Sequence, residues 1–202
     1  MRTALVADGD LTARARILAS AFDRFAARGY EGASLREIAS NAGVSTALVT
    51  HHFGTKLALR EECDARVARF IADKRDGATG AADVLGEVLG TYGPYLARML
   101  GDGGEASAAL FARLLEVARA MIDDGSASGW LRPSRDPEAQ AATLVMLGVA
   151  PFLMIGPLTS WAGGADRALG RIAVPLAELY THGLTTDDRL LAAVGLASEE
   201  AR

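Results

Sequence analysis

Apolar residues recur every three to four positions along almost the whole chain, and nowhere do apolar and polar residues alternate convincingly with period two. That spacing predicts an all-α protein. A first helix starts near Asp10 or Thr12, either able to cap it, and runs to Arg28, with flexible residues ahead of it and Gly29 as its stop. Ile17, Leu18, Ala21, Phe22 and Phe25 form its apolar stripe. Ser34-Leu-Arg-Glu37 is a capping box that opens a short helix through Ala42, with Leu35, Ile38 and Ala39 inward. Gly43 permits the left-handed backbone of a tight turn, and Ser45 caps a third short helix whose Val44, Val49 and Phe53 point back at the other two. The last two helices, joined by a short glycine turn, match a helix-turn-helix, and Ala39 supplies the small side chain that a close crossing needs. On spacing alone, a plain helical hairpin in a larger bundle remains the alternative.

Further helices are expected from Lys56 to about Lys74, capped by Thr55 and broken at Gly77 and Gly80; from about Ala82 to Leu100, bending at Gly93-Pro94; and from Glu105 to Asp123. Gly125 to Ser134 reads as a loop holding Trp130. Asp136-Pro137 caps a helix, uncharged from Ala139 onward, in which Pro151 and Pro157 each free a carbonyl four residues back, so kinks or a break are expected. A helix from Asp166 to His182 follows despite Pro175, and Thr186 to Ala197 suits a short terminal helix.

Composition sharpens this picture. Half of the 202 residues are apolar and only 6% are aromatic, a balance rich in alanine and leucine that favours helices. The net charge of −4 is uneven: residues 1–60 carry eight Arg/Lys against five Asp/Glu, whereas residues 61–202 carry 13 against 20. A local positive excess suits a phosphate-facing module, although an excess this small also arises by chance. The single cysteine, Cys63, rules out an internal disulfide and fits a reducing, cytoplasmic setting. Its flanking acids raise a thiol's pKa, so a passive cysteine is expected. Residues 139–165 contain no charge and are long enough to span a bilayer, but their glycines, prolines and polar residues, and the lack of a basic flank, favour a buried helix.

The ordered set Ile17-Leu18, Phe22, Gly29-Tyr30, Ser34-Leu-Arg-Glu-Ile-Ala39, Ala42-Gly-Val-Ser45 and His52-Phe-Gly-Thr-Lys56 resembles the tetracycline-repressor (TetR) family of bacterial transcriptional regulators. The resemblance implies a helix-turn-helix head over residues 1–55 and a ligand-binding and dimerisation domain over 56–202. It implies a homodimer, associating through its C-terminal helices, that reads a pseudo-palindromic double-stranded DNA operator. A small-molecule inducer would release the protein, with repression as the usual sense. Two departures stand out: Ala47 where the family often has glycine, and Thr50 where it often has a phosphate-contacting tyrosine.

Within that frame Ser45, Thr46, Ala47 and Leu48 open the recognition helix toward base edges, with Ala47 and Leu48 suited to thymine methyl groups. Leu48 packing inward beside Val49 is the equal alternative. Ser34 and Lys56 are expected at phosphates, Arg36 at a base or the backbone, and Thr50 and His51 as further anchors. His51 faces the groove and His52 is half-buried; adjacent helical residues point about 100° apart, so they do not share a metal. In the body, Tyr92, Tyr95, Met99, Phe111, Leu115, Met146 and Phe152 are candidate lining for an apolar or weakly polar ligand, with plain core packing the competing reading for each. No metal or cofactor is expected. Gly125-Ser-Ala-Ser-Gly129 puts alanine where a nucleophile elbow needs serine, and the glycines at 101, 103 and 104 complete no dinucleotide motif, so no enzyme is expected. The alternative is a helical small-molecule binder or enzyme that has lost operator recognition.

Overall fold

The computed structural model describes the backbone of residues 2–75 and 81–182 and the side chains of 12–73, 91–165 and 167–182. Within these residues every regular element is a helix: α1 Arg2–Gly32, α2 Leu35–Ala42, α3 Thr46–Phe53, α4 Lys56–Arg75, α5 Ala81–Gly101, α6 Gly104–Ala127, α7 Pro137–Leu153, α8 Ile155–Ala162 and α9 Ala165–His182. The expected break at Gly77 and Gly80 and the terminal helix from Thr186 lie outside the described residues.

Most helix ends fall where local chemistry placed them. Thr55 Oγ1 accepts from the N–H of Ala58 at 3.0 Å, and Asp136 accepts from that of Ala139 with Pro137 opening α7. The proline-rich stretch breaks at Met154, and α7 and α8 meet at a bend of 58°. No single helix among the described residues is long and apolar enough to cross a membrane; α7 and α8 have the length and composition only as this bent pair.

Three expectations need correction. α1 does not begin at Asp10 or Thr12 but at Arg2, because adding residues to an existing helix avoids the cost of nucleation. Gly29 does leave the helical conformation (φ 70°, ψ 176°), yet it kinks α1 rather than ending it, and a further turn runs to Gly32. The loop expected from Gly125 starts later, since α6 continues to Ala127 and Leu131 folds back so close to Gly125 that a Cβ there would lie 2.5 Å from Leu131 Cδ1. α5 runs through Pro94 as one helix.

α1 sits at the centre. Ile17, Ala21 and Phe25 are fully buried, and Phe22 packs edge-on against Tyr95 of α5 with ring centroids 4.9 Å apart. One apolar core extends from Ile38 and Val49 through Phe25 to Leu110, Ile122 and Phe152. α5 meets α7 closely, for a Cβ on Gly93 would lie 3.1 Å from the Phe152 ring.

Candidate nucleic-acid interface

The reading surface is built on α2 and α3. Ser34 accepts from the N–H of Glu37, and the Glu37 carboxylate accepts from both the N–H (3.1 Å) and the hydroxyl (2.9 Å) of Ser34. These bonds, led by the Ser34 hydroxyl, hold the Glu37 carboxyl below its ordinary range. At the other end Gly43 adopts φ 66° and donates to Ala39 and Ser40 carbonyls, while Val44 N–H also returns to Ala39. Only a residue without a Cβ enters this conformation without strain. A buried polar tie fastens α2 to α1: Ser20 Oγ donates to the Ile38 carbonyl at 2.8 Å and accepts from Asn41 Nδ2 at 3.0 Å.

Ser45 caps α3 by accepting from Leu48 N–H. Thr46, Ala47, Thr50 and His51 occupy one exposed edge, at the i, i+1, i+4, i+5 spacing of a helix face, while Val49 on the opposite side is fully buried. Leu48 falls between the two alternatives and is half-buried. The Thr50 hydroxyl donates to the Thr46 carbonyl at 3.2 Å, so it must rotate to bind anything else. His51 is exposed and His52 half-buried, their rings edge-on at 5.4 Å. Arg36 and Ser34 stand exposed on α2.

Lys56 is the exception. Its ammonium points back into the protein, donating to the carbonyls of Tyr30 (2.9 Å) and Ala33 (3.1 Å), and lies 4.4 Å over the Tyr30 ring. The carbonyls closing α1 lack helical partners, and this side chain supplies donors. Lys56, expected at a phosphate, thus has its ammonium engaged within the protein, where it ties the end of α1 to the start of α4.

Below the head lies a polar junction that helical spacing alone did not reveal. Arg60 and Asp64 form a buried i, i+4 ion pair at 3.1 Å with 4% and 2% exposure. Tyr95 of α5 donates its hydroxyl to the other Asp64 oxygen at 2.5 Å. Arg60 also donates to the Ala106 carbonyl of α6 at 3.0 Å, and its guanidinium lies 5.6 Å over Tyr30. Burial raises the Asp64 carboxyl, against the Tyr95 hydrogen bond and Arg60 charge. Burial, then Asp64 and Glu62, likewise drives the fully buried Cys63 thiol upward. The Arg60/Asp64 spacing was visible in the sequence; the Tyr95 and Tyr30 partners required the fold. Close by, the kink at Gly29 abuts Asp102, itself paired to Arg98 at 2.9 Å.

The seven candidate ligand residues do not form one lining. Tyr95, Met99 and Phe152 are packed in the core, Leu115 is half-buried, and Phe111 and Met146 face outward at 38% and 56% exposure. A cleft of about 380 Å³ between α1, α4 and α5 touches Tyr92 alone among them, with Arg14, Phe22 and Arg66 also on its walls. Helical spacing identified apolar faces but not which helices would meet.

A helix-turn-helix presented on a helical body is an architecture common among DNA-binding transcriptional regulators. The family description "Bacterial regulatory proteins, tetR family" matches residues 17–63, and "Tetracyclin repressor-like, C-terminal domain" matches residues 90–186. The HTH-type transcriptional regulatory protein RaaS of Mycobacterium tuberculosis is 38% identical over 191 residues, spanning 88% of this chain and 89% of that protein. An HTH-type transcriptional repressor of the same species is 36% identical over 163 residues, spanning 77% and 80% respectively. In fold, the chain is similar to the transcriptional regulator FadR of Bacillus subtilis, solved in complex with stearoyl-CoA. The TM-score is 0.57 at 15% identity, covering 84% of this chain and 98% of that one. The chain belongs to the TetR family of transcriptional regulators.

Proposed function

We propose that this regulator acts in the cytoplasm as a homodimeric repressor that reads a pseudo-palindromic operator with residues 1–55 and responds to a small apolar or weakly polar ligand through residues 56–202. The observation that carries this reading is the division of α3, with Thr46, Ala47, Thr50 and His51 exposed on one edge while Val49 anchors the other in the core. A helix held this way offers its opening residues to base edges without reorganising. Ser45, Thr46, Ala47 and the exposed part of Leu48 are the proposed base-facing set. Arg36, Thr50, His51 and the N-terminus of α2 at Ser34 are the proposed phosphate contacts. Lys56 holds the head together instead.

Dimerisation is proposed through α8 and α9, whose Trp161, Val174 and Tyr180 are 56%, 63% and 49% exposed. Large apolar side chains gathered on two neighbouring helices suit a self-complementary interface. The repressor named among the relatives supports the sense of regulation, and the stearoyl-CoA complex shows a neighbouring protein of this fold taking up a ligand. The charge-free run 139–165 favours an apolar or weakly polar ligand here, entering at the cleft between α1, α4 and α5 beside Tyr92, and Phe111 and Met146 are left out of that site.

Selection of duplexes from a random pool by the purified protein, at one fixed moderate salt concentration, tests the operator reading. A symmetric motif with half-sites about one turn, roughly 34–36 Å, apart is expected. A folded, dimeric protein that enriches no sequence would overturn it.

A further inference from the structure

The polar junction beneath the head forms a continuous chain across four helices. Tyr95 on α5 holds Asp64 on α4; Asp64 holds Arg60; Arg60 and Lys56 lie over the Tyr30 ring that closes α1; and Lys56 holds the carbonyl of Ala33, the residue before the Ser34 cap of α2. The anchoring hydrogen bond to Ala106 adds α6. Maximal stability does not explain this arrangement. A buried ion pair is often no more stable than apolar residues of similar volume, and Arg60 Nε is buried without an acceptor. What such a chain supplies is direction, because hydrogen bonds and a planar guanidinium fix angles that apolar packing leaves softer.

We propose that Tyr95, Asp64, Arg60 and Tyr30 are positioning residues that set the angle of the DNA-reading head on the body, and so the half-site spacing the dimer accepts. The inference rests on the operator-binding reading above and names how its geometry is fixed. The lever arm makes small angles matter. Asp64 and Lys56 are eight residues apart on α4, about 12 Å at the helical rise. To absorb one base-pair step, each head must shift by about 1.7 Å along the duplex, a tilt of about 8° over that arm, and also follow about half of the roughly 34° twist of that step. An apolar contact yields that much; a chain of oriented polar contacts resists it.

The test selects from duplexes whose half-sites, first identified with the wild-type chain, are separated by spacers of varied length. Tyr95→Phe removes only the hydroxyl that holds Asp64. Tyr30→Leu removes the ring beneath both cations while keeping Arg60 and Asp64 themselves, and Tyr30→Phe keeps that ring as a control. Tyr95→Phe and Tyr30→Leu are expected to keep the half-site sequence but to lose roughly three- to tenfold of the preference for the favoured spacer over one a base pair longer, the scale of one hydrogen bond. Tyr30→Phe should match the wild type. A role in stability alone would weaken binding to all spacers equally. Folded Tyr95→Phe and Tyr30→Leu proteins with the wild-type spacer preference would overturn the inference, and Tyr30→Leu decides alone if Tyr95→Phe fails to fold. Recovery of no motif by the wild type would overturn the operator reading, and this one with it.

Discussion

Ser34 and Glu37 satisfy each other's polar groups at the opening of α2, so the head's stability is tied to one carboxylate. Ser34→Ala should lower the melting temperature through a loss of about 1 kcal/mol, typical of an N-cap. Because Glu37 is held below its ordinary value of 4.5 in the folded state, its contribution is complete above that value and is lost as pH falls through the depressed one. The acid-side decline of the melting curve should therefore flatten in Ser34→Ala. Two cations separate binding from folding. Arg36→Ala, on the exposed face of α2, should weaken operator binding and reduce the salt slope by about one. Lys56→Ala strands the Tyr30 and Ala33 carbonyls and should destabilise the fold by about 2 kcal/mol, read by denaturant titration.

At the scale of the element, local chemistry was largely legible because it acts within one turn of helix. The Ser34 and Ser45 caps, the Gly43 turn and the break in the proline-rich run all follow from residues within a few positions of each other. The start of α1 was less legible, since Asp10 and Thr12 can cap a helix but do so only if the chain ahead of them is not already helical. Least legible was which apolar faces meet. Tyr95 and Met99 belong to the core, yet Phe111 and Met146, just as large and equally well spaced, point outward. The candidate reading residues on α3 needed only the helix and its buried Val49; the ligand lining needed the packing of whole helices. Gly29 illustrates the same limit. Its glycine suggested a stop, but the fold uses it for a kink at φ 70°, beside the Asp102 carboxylate. Gly29→Ala should cost about 1–3 kcal/mol from the backbone alone, since φ 70° with ψ 176° is a conformation essentially confined to glycine, seen as a lower denaturation midpoint.

Across the whole molecule, head and body share one apolar core through α1, so a tilt of the head is a repacking of aromatic contacts rather than a swing about a linker. The proposed dimer adds a second level. Val174→Asp on α9 places a charge on a side chain that is 63% exposed, and it should leave the monomer folded. Sedimentation should show dissociation, and operator binding should fall with it, because a lone head keeps only half of the contacts.

Cys63 has a practical consequence. It is the one cysteine among 202 residues, it is fully buried, and its thiol is driven away from the reactive thiolate. Native protein should take up no maleimide near neutral pH and should do so once denatured, with labelling followed by mass spectrometry. Nature has thus left a silent background for spectroscopy: Ser40→Cys, on the exposed side of α2, would carry a spin label unaccompanied. Paired labels across a dimer would then serve as a ruler, turning the separation of the two heads into a distance read in solution, with and without DNA.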